Sequence, residues 1–384
     1  MINTFDFAVV GAGVFGAWTA RALSESGASV VLMDAYGPGN SRSSSGGETR
    51  VIRMGYGSDE LYTEWAIRSL PKWQELASRT GAEIFHKTGV LWLASAEDSF
   101  TQKMLDVLQS RGVLSQRLTG EEIRSRWPQL NFPEASWAVF EPESGLLMAR
   151  KSVQLLVAEL GDKGIKFLNA GVTAPQCRGK LQSVRTTAGD EVSAGTYIFA
   201  CGPWLPKVFP EVLSGRIFPS RQEVFFLGPP PGDEDFGPQK MPVWLFHQHP
   251  DIPYALPNME SRGFKIAFDR HGSALDPDGE DRVIGKESIA RLHAFLAQHL
   301  PALKDAPIVE TRVCQYENTW NGDFLIDRHP EAENVWMVGG GSGHGFKHGP
   351  AVGEYVRDLI MNARAAEPRF SLASKKAQQA RAVY

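Results

Sequence analysis

Three glycines near the N-terminus have the spacing of a dinucleotide-binding turn. Gly11, Gly13 and Gly16 follow an apolar run at residues 5–10 and precede a helical pattern. In such a turn the first glycine permits a tight bend, the second lets the backbone approach a pyrophosphate, and the third lets the helix pack on the strand. Asp34 follows about 20 residues later, where a carboxylate can accept hydrogen bonds from an adenosine ribose. The combination predicts a bound dinucleotide but does not separate FAD from NAD.

Two further segments have residue types that suit a cofactor or an anionic ligand. Residues 43–53 combine serines, glycines and Thr49 with two arginines, Arg50 and Arg53. Residues 339–349 are rich in glycine and precede a predicted helix, so their backbone N–H groups can face a ligand. Taken singly, the same residues could equally be solvated surface arginines and a flexible glycine loop.

The elements that position these residues begin with strand, glycine turn, helix and a second strand at 30–33, which together form a βαβ unit. Further apolar runs at 88–93, 223–227, 242–246 and 264–268 follow one another without alternating helices. Such a cluster predicts a second, mostly antiparallel sheet that is distinct from the nucleotide-binding part. The predicted fold class is therefore α/β, and α+β overall.

Composition excludes several classes of partner. The 384 residues include 40 basic and 44 acidic side chains, and the net charge of −4 offers no field for binding nucleic acid or an acidic membrane. No run of about 18 apolar residues suggests a membrane-spanning helix. The N-terminus lacks the basic and apolar regions of a signal peptide, so we expect a cytoplasmic protein.

Cysteine and histidine usage gives no sign of a metal site. Cys177, Cys201 and Cys314 are too few and too scattered for a disulfide framework or a zinc site. Buried thiols in a reducing cytoplasm are their default interpretation. His247 and His249 have no partner cluster in the sequence, so we interpret them as loop or strand residues and predict no metal.

Five segments together resemble a family of FAD-dependent amine oxidases that includes monomeric sarcosine oxidase, N-methyltryptophan oxidase and pipecolate oxidase. The resemblance covers nearly the whole chain, and its last two segments are the most specific. The segments are 11–16, 48–53, 200–204, 314–316 with 324–330, and 342–347.

The resemblance implies a Rossmann-like FAD-binding domain made of discontinuous segments, with an inserted substrate domain built on a mostly antiparallel β-sheet. The FAD-binding domain would take residues 1–85, 145–220 and 307–384. The substrate domain would take residues 86–144 and 221–306. The implied partners are a small amine and oxygen, and the chain is expected to act as a monomer.

The resemblance also implies a covalently held flavin. The cysteine matching Cys314 is bonded through sulfur to the flavin ring, the basic residue matching Arg50 lies beside the ring, and the lysine matching Lys265 activates oxygen. Without the resemblance, Lys265 would be interpreted as an exposed strand lysine. The other residues assigned to the cofactor are Gly11, Gly13, Val14, Phe15, Gly16, Asp34, Arg42, Ser43, Ser44, Thr49, Val172, Cys201, Gly202, Trp204, Gly341, Gly343, His344, Gly345, Phe346 and Lys347.

The implied substrate is an amine that bears a carboxylate. The residues matching Arg53 and Lys347 bind that carboxylate, and the pair is chemically sensible because each side chain adds charge-assisted hydrogen bonds. Tyr254 and Tyr316 match tyrosines that line the substrate cavity.

Two positions depart from the family pattern. Asp269 stands where close relatives have a histidine in the cavity, and Gly46 replaces a second family histidine. The altered lining makes sarcosine itself a doubtful substrate. Asp269 either balances a cation of the cavity or receives a hydroxyl or cationic group of a larger substrate, and its expected role is substrate selection.

The implied reaction is oxidation of a C–N bond α to a carboxylate. A hydride passes from carbon to the flavin, the imine is hydrolysed, and oxygen takes the electrons to give hydrogen peroxide. Arg50, Arg53, Lys265 and Lys347 are expected to make the site strongly positive and so to lower the pKa of the bound amine. Three alternatives stay open: a dehydrogenase with another electron acceptor, an NAD-dependent dehydrogenase, and a non-catalytic flavin-binding subunit or sensor.

Overall fold

The computed structural model describes residues 3–270, 272–279 and 282–377. Residues 378–384, at the end of the predicted FAD-binding domain, lie outside the described residues. The strands, in chain order, are β1 (Asn3–Val10), β2 (Val30–Met33), β3 (Thr49–Ile52), β4 (Phe85–His86), β5 (Val90–Ala94), β6 (Gln116–Thr119), β7 (Trp137–Glu141), β8 (Gly145–Met148), β9 (Lys166–Leu168), β10 (Ser183–Arg185), β11 (Glu191–Phe199), β12 (Phe218–Leu227), β13 (Val243–Leu245), β14 (Pro253–Leu256), β15 (Phe264–Phe268), β16 (Ile308–Asn318), β17 (Leu325–Arg328) and β18 (Val335–Gly339). The α-helices are α1 (Val14–Ser24), α2 (Glu60–Thr80), α3 (Ser99–Ser110), α4 (Gly120–Arg126), α5 (Ala149–Asp162), α6 (Leu205–Val208), α7 (Pro210–Leu213), α8 (Lys286–His299) and α9 (Gly349–Ile360).

The first sheet contains the predicted βαβ unit. Its strand order is β17-β18-β11-β1-β2-β9, with β10 paired to β11. β1 runs parallel to both β2 and β11, and β11 runs parallel to β18. All residues of β2 are buried, as expected for an apolar parallel strand that is covered on both faces. The predicted Rossmann-like architecture is confirmed.

The carboxyl ends of β1, β2 and β11 meet at one edge of this sheet, which is where open α/β sheets bind ligands. The chain leaves β1 through the glycine turn and enters α1 at once. A Cβ atom placed on Gly16 would lie 1.8 Å from the carbonyl oxygen of Gly11. The third glycine is therefore needed because α1 packs directly on the turn that precedes it.

The second sheet confirms the prediction of a mostly antiparallel arrangement. Its eight strands lie in the order β16-β12-β15-β14-β13-β5-β7-β6. The pairs are antiparallel except for β5 with β13, which run parallel. Large side chains such as Phe225, Trp244 and Ile266 are fully buried beneath it, so this sheet has a hydrophobic core of its own.

Two long strands do not follow the predicted domain boundaries. β12 begins before residue 221, and β16 belongs to the second sheet although the segment 307–384 was assigned to the FAD-binding domain. The two strands pair from Phe218 opposite Asn318 to Leu227 opposite Ile308. β12 continues through residue 221 without a break, and a boundary inside a continuous strand leaves no local signal in the sequence.

The third sheet, β3-β8-β4, positions the arginine-containing segment. β3 pairs antiparallel with β8, from Thr49 opposite Met148 to Ile52 opposite Gly145. This pairing fixes the backbone on which Arg50 lies, and Arg53 follows directly after the strand. No helix in the described part of the chain is long and apolar enough to cross a lipid bilayer.

Candidate active site

A cavity of about 480 Å³ opens at the carboxyl ends of the parallel strands. Its size falls within the roughly 300–1,000 Å³ that is usual for small-molecule and cofactor sites. The predicted cofactor residues that line it are Gly11, Gly13, Val14, Phe15, Asp34, Ser43, Ser44, Arg50, Val172, Cys201, Gly202, Trp204, Gly341, Gly343, Gly345 and Phe346. We refer to this space as the dinucleotide cavity.

Five residues assigned to the cofactor do not line this cavity. His344 and Lys347 line a smaller cavity described below, and the other three are Gly16, Arg42 and Thr49. Gly16 acts indirectly, through the close packing of α1 described above. The guanidinium of Arg42 donates to the backbone carbonyls of Pro277 and Asp278, 3.2 and 3.1 Å away. The backbone carbonyl of Thr49 accepts a hydrogen bond from Lys265 Nζ at 2.8 Å. These residues support the walls of the site.

Asp34 presents an oriented acceptor to the dinucleotide cavity. Its Oδ2 accepts a hydrogen bond from the backbone N–H of Ala12 at 2.8 Å, and its Oδ1 accepts one from the backbone N–H of Tyr36 at 2.8 Å. Burial raises the pKa of Asp34, while the backbone N–H groups of Tyr36, Ala12 and Gly37 oppose that shift. The glycine turn and this carboxylate fit the pyrophosphate and ribose of FAD, whose adenosine half requires these two features.

Sequence reasoning missed several residues of the cavity wall. Ser45 Oγ accepts from the backbone N–H of Val14 at 3.0 Å, and the serine run was a signal that could have included it. Asp278 Oδ1 accepts from Trp204 Nε1 at 2.7 Å, a contact over a sequence distance that no local pattern predicts. Glu317 also lines the cavity, from strand β16.

A smaller cavity of about 80 Å³ adjoins the first one. The two cavities share the lining residues Arg50, Tyr316, Ser342, Gly343 and Phe346. The predicted substrate or flavin-ring residues that line the smaller cavity are Arg50, Arg53, Tyr254, Lys265, Asp269, Cys314, Tyr316, His344 and Lys347. We refer to it as the inner cavity, and it brings together side chains from β3, β14, β15, β16 and the segment before α9.

The thiol of Cys314 lies beside a guanidinium group. Arg50 NH2 is 3.2 Å from Cys314 Sγ and also donates to the carbonyl of Ser44 at 2.7 Å. Cys314 is buried at 8 % exposure. A guanidinium at this distance stabilises negative charge on sulfur, and the thiolate is the reactive form of cysteine.

Lys265 is buried on β15 beneath the same group of side chains. Its Nζ donates to the carbonyl oxygen of Thr49 at 2.8 Å, and Thr49 Oγ1 lies 3.4 Å away. Burial lowers the pKa of Lys265 well below its ordinary value, and the nearby Arg50 lowers it further. The surroundings of this lysine disfavour its ammonium form, which works against the expectation of a strongly positive site at this one residue.

Arg53 and Lys347 both contact one tyrosine that the sequence reasoning did not select. The Arg53 guanidinium lies 4.3 Å from the ring centre of Tyr56, and Lys347 Nζ donates to the hydroxyl of Tyr56 at 2.8 Å. Lys347 Nζ also donates to the carbonyl of His344 at 2.8 Å. Burial and Arg53 lower the pKa of Lys347 well below its ordinary value, against the opposing influence of Glu141. Tyr56 thus orients both basic groups.

Asp269 follows β15 directly and faces the tyrosines of the inner cavity. Tyr316 donates its hydroxyl hydrogen to Asp269 Oδ1 at 3.0 Å. Burial raises the pKa of Tyr254 to about 12, and the charge of Asp269 adds to that shift. The cavity therefore has a carboxylate on one side and the Arg53–Lys347 pair on another.

His249 has partners that the sequence did not reveal. Its Nε2 lies 4.0 Å from Glu134 Oε1, and His299 Nδ1 lies 3.7 Å from the same oxygen. The backbone N–H of Asp251 donates to His249 Nδ1 at 3.1 Å, and His299 Nδ1 lies 3.0 Å from the carbonyl oxygen of Asn131. A neutral histidine whose Nδ1 accepts a hydrogen bond has its proton on Nε2, so the nitrogen that faces Glu134 is a donor. The side-chain ligand atoms of Glu134, His249 and His299 all lie within 4.8 Å of one another, a grouping that the sequence reasoning did not foresee.

Comparison with known proteins supports a flavoenzyme. The monomeric sarcosine oxidase of Bacillus sp. (strain B-0618) is 32% identical over 373 residues, which cover 95% of this chain and 94% of the relative. An N-methyl-L-tryptophan oxidase of Yersinia pestis (strain Pestoides F) is 28% identical over 353 residues, covering 91% and 93% of the two chains.

Solved structures agree on the fold. The L-proline dehydrogenase of P. horikoshii superimposes with a TM-score of 0.84 at 21% identity, and the match covers 97% of this chain and 98% of the other. Residues 6–359 match the family model described as FAD dependent oxidoreductase. The chain therefore belongs to the FAD dependent oxidoreductase family.

Proposed function

We propose that this enzyme oxidises the C–N bond of an amino acid whose nitrogen is a secondary or cyclic amine, and that oxygen is reduced to hydrogen peroxide. One observation carries the proposal: a small cavity with a pair of basic side chains adjoins the dinucleotide cavity and shares five lining residues with it. The names of two relatives, a sarcosine oxidase and an N-methyl-L-tryptophan oxidase, support the choice of a C–N bond.

Arg53 and Lys347 are the proposed carboxylate-binding residues. Both line the inner cavity, and Tyr56 holds them in place through its ring and its hydroxyl group. A bound carboxylate opposes the effect of burial on Lys347, because an opposite charge within about 4–6 Å favours the protonated amine. The pair would therefore bind the substrate by its carboxylate and direct its amine toward Cys314 and Arg50.

FAD, when bound, would supply the two-electron acceptor. Cys314 is the proposed point of covalent attachment, supported by its place on the wall of the inner cavity and by the guanidinium of Arg50 at 3.2 Å. Acid-precipitated protein should then stay yellow, and Cys314→Ala should release the colour on precipitation. Loss of colour from the unmutated protein would show that the attachment lies elsewhere or does not form.

The proposed reaction balances with water and oxygen as the other reactants. The substrate loses a hydride from carbon and a proton from nitrogen, and oxygen gains these two electrons and two protons as hydrogen peroxide. Water then hydrolyses the imine. Lys265 is the residue proposed to assist oxygen. Burial disfavours its ammonium form, but the negative charge that oxygen acquires favours that form, and the ammonium in turn stabilises the charge.

Anaerobic mixing with a panel of N-methylated and cyclic amino acids tests the proposal. At least one member should bleach the flavin absorbance, and in air one peroxide should form per substrate oxidised. Bleaching without peroxide would favour a dehydrogenase that uses another acceptor. Absence of bleaching with every amine would favour a non-catalytic flavin-binding protein.

The oligomeric state and the cellular location are also proposed. A monomer is supported by the printed name of the Bacillus relative, monomeric sarcosine oxidase. Light scattering of the purified holoenzyme should give a mass near the 42.3 kDa of one chain. Cell fractionation should recover the flavoprotein with cytoplasmic markers.

A further inference from the structure

Glu317 is a buried carboxyl group for which the proposed reaction has no use. It lies on β16, and its residue is 8 % exposed. It follows Cys314 by three residues, which corresponds to roughly 10 Å along a strand. Cys314 lines the inner cavity, whereas Glu317 lines the dinucleotide cavity. The same strand thus presents one chemical group to each cavity.

Only one oxygen of this carboxyl group is hydrogen bonded to the described part of the chain. Oε1 accepts from the backbone N–H of Gly341 at 3.3 Å. Oε2 is buried and has no hydrogen-bond partner among the described residues. A Cβ atom on Gly339 would lie 3.0 Å from Oε2, and one on Gly202 would lie 3.9 Å from it. Buried polar atoms are almost always paired, so this oxygen calls for a partner that the chain does not supply.

The surroundings of Glu317 bring the pKa of its carboxyl group close to neutral pH. Burial raises the pKa of Glu317 to about 7, while the N–H groups of Gly341 and Gly340 act in the opposite direction. The other charged or thiol side chains that line the same cavity are Asp34, Asp278, Cys201 and Arg50, and among the described residues none of them forms an ion pair or hydrogen bond with Glu317. Burial and the charges of Asp34 and Glu317 raise the pKa of Cys201, and His344 Nε2 faces the carbonyl of Gly322 at 2.9 Å. No cation in this set holds Glu317 in its ionised form.

We propose that Glu317 is a positioning residue for the flavin, and that its free oxygen forms a hydrogen bond with a hydroxyl group of the chain that joins the flavin ring to the pyrophosphate. The glycine turn after β1 fixes the pyrophosphate end of the site. The ring end is placed by Cys314, the attachment point in the proposed function. The inference rests on the proposed function for this placement alone. Glu317 lies between the two ends, where FAD has hydroxyl groups.

The position also couples a proton to reduction of the cofactor. Two electrons from the substrate add negative charge in the cavity, and negative charge raises the pKa of a nearby carboxyl group. Where Glu317 is ionised in the oxidised enzyme, reduction therefore takes up one additional proton from water at this carboxylate. The electron balance of the reaction is unchanged, because the proton returns to water on reoxidation.

Two variants of Glu317 and one control on the same strand test the inference. Glu317→Gln keeps the hydrogen-bonding shape without an ionisable group, and Glu317→Leu removes both. Glu310→Gln is the control, because Glu310 pairs with Arg262 near the surface. The measurements are FAD dissociation in the Cys314→Ala background and the pH dependence of the flavin midpoint potential in the holoenzyme.

We expect Glu317→Leu to weaken FAD binding about tenfold, as for the loss of one buried hydrogen bond, and Glu317→Gln to weaken it much less. Between pH 7 and the raised pKa of Glu317 in the reduced state, the unmutated enzyme should take up as much as one more proton per two electrons than Glu317→Gln, and Glu310→Gln should match the unmutated enzyme. Unchanged FAD binding in Glu317→Leu, or the same pH dependence of the potential in Glu317→Gln, would overturn the inference. If Glu317→Leu does not fold, the glutamine comparison decides. Neither measurement requires a substrate, so failure here is distinct from failure of the proposed reaction.

Discussion

The two adjoining cavities are built in different ways. The dinucleotide cavity is formed largely by backbone at strand ends, with Gly11 and Gly202 in conformations of positive φ, 105° and 55°. The inner cavity is formed by long side chains, including Arg53, Lys265 and Lys347, which come from distant parts of the chain. A site made of backbone needs glycines at fixed local spacing, whereas a site made of side chains needs the tertiary fold to bring them together.

The cavities also differ in the titratable side chains that they bury. The carboxyl groups of Asp34 and Glu317 line the dinucleotide cavity, and burial raises the pKa of each. Lys265 and Lys347 line the inner cavity, and burial lowers the pKa of each. In each of these four groups burial shifts the pKa in the direction that disfavours the charged form, and a ligand of opposite charge would oppose that shift. The following predictions separate the backbone contribution from the side-chain contribution.

The largest effect is expected from Gly11→Ala. A Cβ atom here would lie 2.3 Å from the carbonyl oxygen of Ala200, and the φ of 105° is strained for any L side chain. Gly27→Ala is the matched control, because Gly27 has a φ of 83° but no atom within 4 Å of the added Cβ. Gly11→Ala should lose nearly all bound flavin, while Gly27→Ala should lose stability by about 1–2 kcal/mol and keep its flavin.

Flavin absorbance per mole of protein and thermal unfolding give the two readouts. Full flavin content in Gly11→Ala would mean that the turn tolerates a shift and that backbone shape does not limit cofactor binding. Equal flavin loss in both variants would attribute the effect to backbone strain alone, and not to contact with the strand end at Ala200.

The difference between a cavity built from backbone and one built from side chains explains which parts of the site could be predicted from the sequence. The strand at 30–33 and the glycine turn were predictable because parallel-strand burial and dinucleotide binding depend on local spacing. Tyr56 was not, because its role arises only where Arg53 and Lys347 meet. The roles of Arg53, Lys265 and Cys314 came from resemblance to a family, since each residue taken alone had an ordinary interpretation.

The end of the chain shows the same limit. The small, polar composition after residue 362 gives no local sign of burial, yet Phe370 is fully buried. Arg369 forms ion pairs with Asp59 and Asp323, and these bonds raise its pKa against the effect of burial. Asp59 is 310 positions and Asp323 is 46 positions from Arg369 in the sequence, so no local pattern connects them.

The next largest effect is expected from Lys265→Met. A cation stabilises the superoxide formed when oxygen accepts one electron, and loss of one such contact can slow a reaction roughly 10²–10³-fold. Reoxidation by oxygen should slow by that factor, while anaerobic reduction by substrate changes much less. Lys347→Met is the matched control, a second buried lysine of the same cavity, and it should chiefly impair the reductive step. Stopped-flow traces of both half-reactions decide; equal losses in the two half-reactions of Lys265→Met would contradict the assignment.

A smaller, graded effect is expected in the pH dependence of carboxylate binding. The pKa of Lys347 is lowered well below its ordinary value by burial and Arg53, so the free enzyme loses this ammonium group well below pH 10.5. A carboxylate requires the protonated amine, so above the lowered pKa each binding event takes up one proton. Acetate affinity should therefore fall roughly tenfold per pH unit in that range, and be independent of this group at lower pH.

Spectral titration of the holoenzyme with acetate at a series of pH values measures this slope. Lys347→Arg supplies the control, since a guanidinium stays charged and should bind acetate without the pH-dependent loss. A slope that persists unchanged in Lys347→Arg would assign the titration to another group and remove Lys347 from the proposed carboxylate site.

The smallest effect is expected from Asp269→Asn, which tests what selects the substrate within the inner cavity. Asp269 already accepts a hydrogen bond from the Tyr316 hydroxyl at 3.0 Å, and the amide oxygen of asparagine can keep that bond. What the substitution removes is negative charge, so substrates with a cationic or hydroxyl group at this side of the cavity should lose about tenfold in kcat/KM relative to those without one. The ranking of amines would change while the best substrate still bleaches the flavin.

Tyr316→Phe is the companion variant, because it removes the donor but leaves the charge, and it should not reorder the substrates in the same way. A uniform collapse of flavin reduction for every amine in Asp269→Asn, with flavin content intact, would instead make Asp269 part of the catalytic machinery and place the choice of substrate with Arg53 and Lys347.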